Sequence, residues 1–126
     1  RAGKRVAFLI DNPTLPDPTD CMERRVMKYW LVRALASGQE TNCTVSLADH
    51  LKETADYLQM VQALKAAHPD MLVLDPTPLL CDEAHGICSI SENGRFLYSY
   101  GDHVSDTAGT KIARRFIPEL TADALR

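Results

Sequence analysis

The sequence predicts an α/β domain with parallel strands. Two continuous apolar runs, at residues 4–10 and 71–74, are typical of parallel strands covered on both faces. A long helical pattern lies between them, and a crossover helix is the usual connection between parallel strands of one sheet. The 126 residues are enough for one domain with its own core, so residues 1–126 are treated as one unit.

A long proline-rich loop follows the first strand and begins with Asp11 and Asn12. Loops at the carboxyl ends of parallel strands carry the sites of open α/β sheets, so Asp11 is a candidate functional carboxylate. Asp-Asn-Pro is also ordinary turn chemistry, and the sequence leaves both interpretations open. Residues 23–36 then form a predicted helix, which Gly38 ends and whose arginines are interpreted as a solvated face.

A second, longer helix is predicted for residues 46–67. Ser46 and Asp49 have the spacing of a capping box, and a short strand at residues 44–46 precedes them. Apolar residues recur at helical spacing along the segment: Leu47, Leu51, Ala55, Leu58, Val61 and Leu64. His50 lies on this helix, and because no partner residue accompanies it in the pattern, it is interpreted as structural.

The last third of the chain predicts a hairpin and a helix. Residues 89–100 are interpreted as a hairpin whose turn is the Asn93-Gly94 pair. The final helix, predicted for residues 107–120, begins after a candidate cap at Ser105. Its apolar positions are expected to be buried, namely Ala108, Ile112, Phe116 and Leu120.

Four cysteines allow three pairings. Local pairing, Cys21 with Cys43 and Cys81 with Cys88, is the expected arrangement and implies an oxidising compartment. A Cys-x-x-Cys knuckle is absent and His85 stands alone in its loop, so no metal site is predicted. The formal charge of −3 gives no basic field for nucleic acid, and no apolar run reaches the roughly 20 residues of a membrane-spanning helix.

A histidine between the predicted hairpin and the last helix is the strongest candidate for catalysis. His103 follows Asp102 directly, at the end of a strand-like run and before a helix. An imidazole on such a loop, beside a carboxylate, suits a general base. The alternative is a turn in which Asp102 and His103 only precede a capped helix.

The order of these features resembles the carboxyl-terminal part of the SGNH domain fused to membrane-bound acyltransferases of acyltransferase family three. The resemblance rests on the run 79–88 with its two cysteines, on Arg-Phe-Leu-Tyr at 95–98 and on His-x-Ser-x-x-x-Gly at 103–109. Family members O-acetylate bacterial surface sugars such as lipopolysaccharide O-antigen. The implied fold is a partial SGNH-hydrolase-like (flavodoxin-like) three-layer fold with parallel strands, lacking the amino-terminal strand that bears the nucleophile.

His103 matches the family's catalytic histidine. The usual pattern places an aspartate three residues before it, where this chain has Tyr100; Asp102 instead precedes His103 directly. The resemblance therefore implies either that Asp102 orients His103 by another geometry or that a Ser-His dyad operates with a backbone carbonyl. No Gly-Asp-Ser nucleophile block occurs in the chain. The serine is expected on the preceding remainder of the same domain, so this chain alone is expected to be inactive.

The resemblance implies acetyl transfer to a glycan hydroxyl in the periplasm, by a domain of an inner-membrane protein. A transmembrane acyltransferase domain is the implied partner, with acetyl-CoA as ultimate donor and no cofactor bound by this chain itself. Hydrolysis by the same groups would make the protein a carbohydrate acetylesterase. A further alternative is a non-catalytic, disulfide-stapled module that binds glycan or protein.

Overall fold

The computed structural model describes residues 5–16, 43–100 and 102–124. Within them lie β1 (Ala7–Leu9), β2 (Thr44–Ser46), α1 (Leu47–Glu53), α2 (Ala55–Ala67), β3 (Leu72–Leu74), α3 (Thr77–Leu80), β4 (Cys81–Asp82), β5 (Ile87–Ser89), β6 (Ser91–Glu92), β7 (Arg95–Phe96), β8 (Tyr98–Tyr100), β9 (His103–Val104) and α4 (Asp106–Ala124). The mixed content agrees with the α/β prediction. The helix predicted at residues 23–36 and Cys21 lie outside the described residues.

The predicted parallel pairing is confirmed for β1 and β3. Phe8 lies opposite Val73, and the register continues to the Leu9–Leu74 pair, after which the Ile10 amide donates to the Leu74 carbonyl at 2.8 Å. Both strands are shorter than the apolar runs predicted. The expectation of cover on both faces is wrong for β1, because Ala7 and Leu9, which share one face of the strand, are exposed, Leu9 by 51%. Among the described strands only β3 pairs with β1, so one edge of β1 is also unpaired there.

The single helix predicted for residues 46–67 is two helices that meet at Thr54. The Ser46 cap is confirmed, since its hydroxyl accepts a hydrogen bond from the Asp49 amide at 3.4 Å. The Thr54 hydroxyl donates to the His50 carbonyl at 2.7 Å, and its amide bonds to the same oxygen at 3.0 Å. A hydroxyl that bonds back to the carbonyl four residues earlier bends helices, which accounts for the break.

Short antiparallel strands form the remainder of the fold. A three-stranded sheet has the order β2-β5-β4, and the predicted hairpin is present as β6 and β7. Its turn contains Asn93 at φ 48° and Gly94 at φ 78°, as a type I′ turn requires. A second hairpin, β8 with β9, leads directly into α4.

The core lies between α4 and these antiparallel strands. Its buried members are Leu15, Leu80, Cys88, Ile90, Leu97, Tyr98 and Ala108. Ala108 and Phe116 are buried as predicted, with Ile112 packed against the cluster. Leu120 is 38% exposed, so its predicted burial is wrong. No helix in the described part of the chain is both long and apolar enough to cross a membrane.

Candidate active site

His103 stands at the start of β9, immediately after the turn that connects it to β8. In the antiparallel register Tyr100 lies opposite His103, and Tyr98 lies opposite Val104. The His103 side chain is 64% exposed. An imidazole in this position is open to a substrate or to a second polypeptide segment.

Asp102 lies beside His103 without a hydrogen bond to it. Its Oδ1 is 3.6 Å from His103 Nε2, which is longer than a hydrogen bond, and both side chains are 64% exposed. An ion pair would also require a protonated imidazole, and exposed pairs contribute little energy. In this arrangement Asp102 therefore holds the imidazole only loosely.

The backbone of the turn is held more firmly than the two side chains. Asn12, which follows β1, donates from Nδ2 to the Asp102 carbonyl at 2.7 Å. On the other side of His103, the Ser105 hydroxyl donates to the Phe96 carbonyl at 2.7 Å, and the Ser105 amide donates to Leu97 at 2.9 Å. These bonds fix the turn that carries His103 from both directions.

Ser105 also caps α4, as predicted. Its hydroxyl oxygen accepts a hydrogen bond from the Ala108 amide at 3.3 Å. One side chain thus satisfies an otherwise unpaired amide of the first helical turn and ties the helix to the neighbouring strand. The cap and the histidine belong to one rigid connection, so the two interpretations of this segment are compatible.

Tyr98 is buried beneath this region with an unpaired hydroxyl. The side chain has no solvent exposure, and its hydroxyl oxygen makes no hydrogen bond of ordinary geometry in the described structure. Burial raises the pKa of Tyr98 to about 12, and the negative charge of Asp11 adds to the rise. The nearby side-chain amide of Asn12 opposes this rise of the Tyr98 pKa, although no hydrogen bond of ordinary geometry joins the two groups.

A pocket opens at the carboxyl ends of β1 and β3. It has a volume of about 180 Å³ and is lined by residues that follow both strands, among them Asp11, Asn12 and Asp75. The remaining wall comes from α1 and α2 and includes His50 and Tyr57. Asn12 therefore connects the pocket to the turn that carries His103.

Residues 1–118 match the family described as "SGNH domain (fused to AT3 domains)". The chain belongs to this family. No curated protein and no solved structure matches it. SGNH domains of this family are hydrolase- or acyltransferase-like. Because they are fused to AT3 domains, an AT3 acyltransferase domain is the partner that membership indicates.

The cysteine predictions are met where the structure describes them. Cys81 and Cys88 are directly opposite each other on β4 and β5 and form a disulfide. Cys43 is also disulfide-bonded, and its predicted partner Cys21 lies outside the described residues.

His85 pairs with Asp82 at 2.7 Å, and the described residues contain no group of three or more ligands that could hold a metal ion.

Three residues of the site were not predicted from the sequence. The sequence pattern places Asn12 in a turn, Tyr98 in a strand and His50 on a helix without a functional partner. The position of Asn12 at the carboxyl end of a parallel strand is a usable signal, because such positions converge on the site of an α/β sheet. His50 and Tyr98 gave no such signal, since their burial depends on contacts that spacing does not reveal.

Proposed function

We propose that this SGNH domain participates in O-acetylation of a surface glycan and that His103 is its catalytic base. The observation that carries the proposal is the exposed imidazole of His103 on a turn held by Asn12 and Ser105. A general base must reach the proton it removes while its backbone stays fixed, and this arrangement combines the two properties. Family membership supplies the acyl-transfer context.

The nucleophile belongs, in this proposal, to another part of the same domain. The sequence contains no Gly-Asp-Ser block, so residues 1–126 are proposed to be the carboxyl-terminal portion of a single SGNH domain. The apolar strand β1 is consistent with this, because Leu9 is half exposed and one edge of β1 is unpaired among the described strands. Further parallel strands at that edge would complete a three-layer, flavodoxin-like sheet.

The proposed reaction has two steps. A serine hydroxyl attacks the acetyl donor, His103 accepts the serine proton, and the donor's leaving group departs with that proton as the acetyl ester forms. A glycan hydroxyl then attacks the ester carbonyl, His103 accepts its proton, and the serine oxygen leaves and takes the proton back. Acetyl-CoA is the proposed ultimate donor, delivered through the AT3 domain. This chain itself holds no cofactor in the scheme.

A periplasmic location is proposed on the basis of the cysteines. Disulfides persist in oxidising compartments and are rare in the cytosol. The Cys81–Cys88 bridge and the bonded state of Cys43 support such a location. A periplasmic domain would also meet the surface glycan and the membrane domain that delivers the acetyl group.

The test of His103 uses the intact protein with its AT3 domain. His103→Ala is expected to reduce glycan O-acetylation at least a hundredfold, because general base catalysis is worth about 10²–10⁴-fold. Mass spectrometry of the surface glycan measures the acetyl content. His85→Ala is the matched control, since His85 is also an exposed loop histidine beside an aspartate. Normal acetylation in the His103 variant would overturn the assignment.

Asp102→Asn separates the two forms of the mechanism. The long distance to His103 favours the dyad, in which this variant loses less than about tenfold in rate. In a triad that depends on Asp102, the loss approaches the roughly 10⁴-fold seen when an orienting carboxylate is neutralised. Release of free acetate without glycan acetylation would instead assign the domain as an esterase.

A further inference from the structure

We propose that the pocket at the carboxyl ends of β1 and β3 is a subsite for an uncharged, hydroxyl-rich sugar unit. The identification of the ligand as part of an acceptor glycan rests on the proposed function. The pocket itself rests on independent observations: its position, its polar lining, a buried histidine and its connection to the His103 turn.

The volume of the pocket suits one sugar unit. At about 180 Å³ it is smaller than the roughly 300–1,000 Å³ of sites for drug-sized ligands. Its place is also that of a ligand site, because open α/β sheets bind ligands outside the carboxyl ends of their strands. A long glycan would therefore insert one residue here and extend along the surface.

The polar groups of the lining match hydroxyl donors. Three carboxylates contribute to the wall: Asp11, Glu53 and Asp75. Asp75 Oδ1 accepts a hydrogen bond from the Thr77 amide, and Asp11 Oδ1 accepts one from the Asn12 amide. Each carboxylate has further lone pairs for a ligand hydroxyl, since an ionised carboxylate accepts about four hydrogen bonds.

The same carboxylates discriminate against anionic sugars. Among the described residues that line the pocket there is no lysine or arginine. A uronic acid or a phosphorylated sugar placed there would meet like charges at short distance, which disfavours binding. Neutral hexoses and their N-acetyl derivatives avoid this repulsion, so they form the ligand class that the pocket favours.

His50 contributes a buried imidazole to the pocket wall. The residue is 7% exposed. Its ring nitrogens can donate a hydrogen bond to a ligand hydroxyl or accept one from it. Tyr57 adds an aromatic side chain to the wall, and its hydroxyl accepts a hydrogen bond from the Asp11 amide at 3.2 Å.

Asn12 connects this subsite to the proposed base. It lines the pocket, and its side-chain amide bonds to the carbonyl of Asp102, the neighbour of His103. A sugar held in the pocket would therefore lie against the residue that anchors the His103 turn. The contact gives the acceptor hydroxyl a defined position relative to the base, which is how binding sites gain rate through orientation.

Binding is measured on the complete SGNH domain, in which residues 1–126 are joined to the proposed remainder, by amide NMR titration with methyl α-glucoside, N-acetylglucosamine and glucuronate. The neutral sugars are expected to shift amide signals of residues 10–14 and 50–58, with dissociation constants in the millimolar range, and glucuronate at least threefold more weakly. Asp75→Asn should weaken neutral-sugar binding about threefold to tenfold, the loss of one charge-assisted hydrogen bond. Asp70→Asn, which precedes β3 at its opposite end, is the matched control.

A double variant tests whether the carboxylates of the pocket repel anionic sugars. Asp11→Asn combined with Asp75→Asn should bring glucuronate affinity up to that of methyl α-glucoside or above it, because two repelling charges are removed. A titration in which no neutral sugar shifts the pocket amides would overturn the proposal, as would equal weakening by Asp70→Asn. The readout does not involve His103. A failed subsite is therefore distinguishable from a failed catalytic assignment, which the acetylation experiment tests.

Discussion

The side-chain amide of Asn12 donates a 2.7 Å hydrogen bond to the backbone carbonyl of Asp102, 90 residues later in the chain. The bond ties the carboxyl end of a parallel strand to the turn between two antiparallel strands. Without it, the Asp102 side of the turn would depend on the β8–β9 pairing alone among the described contacts. Asn12 is therefore expected to act as a positioning residue for His103.

Replacement of Asn12 tests this role. Asn12→Ala in the intact protein is expected to reduce kcat for hydrolysis of a small acetyl ester about tenfold, because a displaced base loses orientation, while KM changes less than twofold. Asn12→Asp should be worse, since a carboxylate would face the Asp102 carbonyl and neither group could donate. Steady-state kinetics of both variants provide the measurement.

Thr14→Ala is the matched control for Asn12. Thr14 lies in the same loop and lines the same pocket, but no hydrogen bond joins it to the turn. Its kcat is expected to remain within twofold of the wild-type value. If Asn12→Ala and Thr14→Ala lose activity equally, the Asn12–Asp102 bond has no positioning role.

Tyr98 predicts a specific loss of stability at alkaline pH. Its pKa rises from 10.0 to about 12 in the folded state, because burial disfavours the phenolate. Below pH 10 both states hold the proton, whereas between pH 10 and 12 only the unfolded state releases it. The free energy of unfolding should therefore fall by roughly 2–3 kcal/mol across that window.

Urea unfolding at pH 9 and pH 11.5 checks the alkaline prediction against Tyr98→Phe. The variant should lack this component of the decline, and at pH 9 it should equal or exceed the wild type by about 1 kcal/mol, because it removes an unpaired buried hydroxyl. Tyr57→Phe is the comparison variant, since its hydroxyl has a partner in the Asp11 amide. Identical alkaline slopes for wild type and Tyr98→Phe would contradict the assignment.

Local features were predictable from the sequence because their causes are local. The Asn93-Gly94 turn requires positive φ at both residues, and the Ser46 and Ser105 caps follow from side chains that reach amides three residues ahead. The Cys81–Cys88 bridge follows from two cysteines facing each other across adjacent strands. Each of these signals is complete within about ten residues.

Contacts distant in sequence could not be predicted in the same way. The partnership of Asn12 with Asp102 depends on how two sheets are placed, and no spacing rule encodes it. The break at Thr54 is local, but the apolar pattern continues unbroken through it, so the spacing does not reveal that the Thr54 hydroxyl competes with the helix. The exposure of Leu9 depends on what covers β1, which an apolar run does not specify.

Asp82 and His85 form a surface pair that should be visible by titration. The hydrogen bond from the His85 side chain, together with that from its amide, holds the pKa of the Asp82 carboxyl below its usual value of 3.8. Because the folded-state pKa is lowered, the contribution to stability is present above pH 3.8 and is lost as the pH falls through the folded-state value. NMR titration of the Asp82 carboxyl carbon measures the midpoint.

His85→Ala is expected to raise that Asp82 midpoint toward 3.8, since it removes the side-chain hydrogen bond that lowers it most. His68→Ala, which replaces an exposed histidine at the end of α2, should leave the midpoint unchanged. A midpoint at 3.8 or above in the wild type would show that the pair does not persist in solution.

The Cys81–Cys88 disulfide predicts a measurable share of the stability. It closes a loop with a sequence separation of seven residues, and loop-closure entropy for such a loop corresponds to roughly 2–3 kcal/mol in the free energy of unfolding. The double variant Cys81→Ala/Cys88→Ala should lose at least that amount, because Cys88 is fully buried and its sulfur also fills core volume. The double variant Cys81→Ala/Cys88→Ser should lose more free energy of unfolding than the alanine variant, since it would place a hydroxyl in the apolar cluster. Denaturant unfolding of these two double variants under oxidising conditions measures both losses. A loss below about 1 kcal/mol for the alanine variant would contradict a structural role for the bridge.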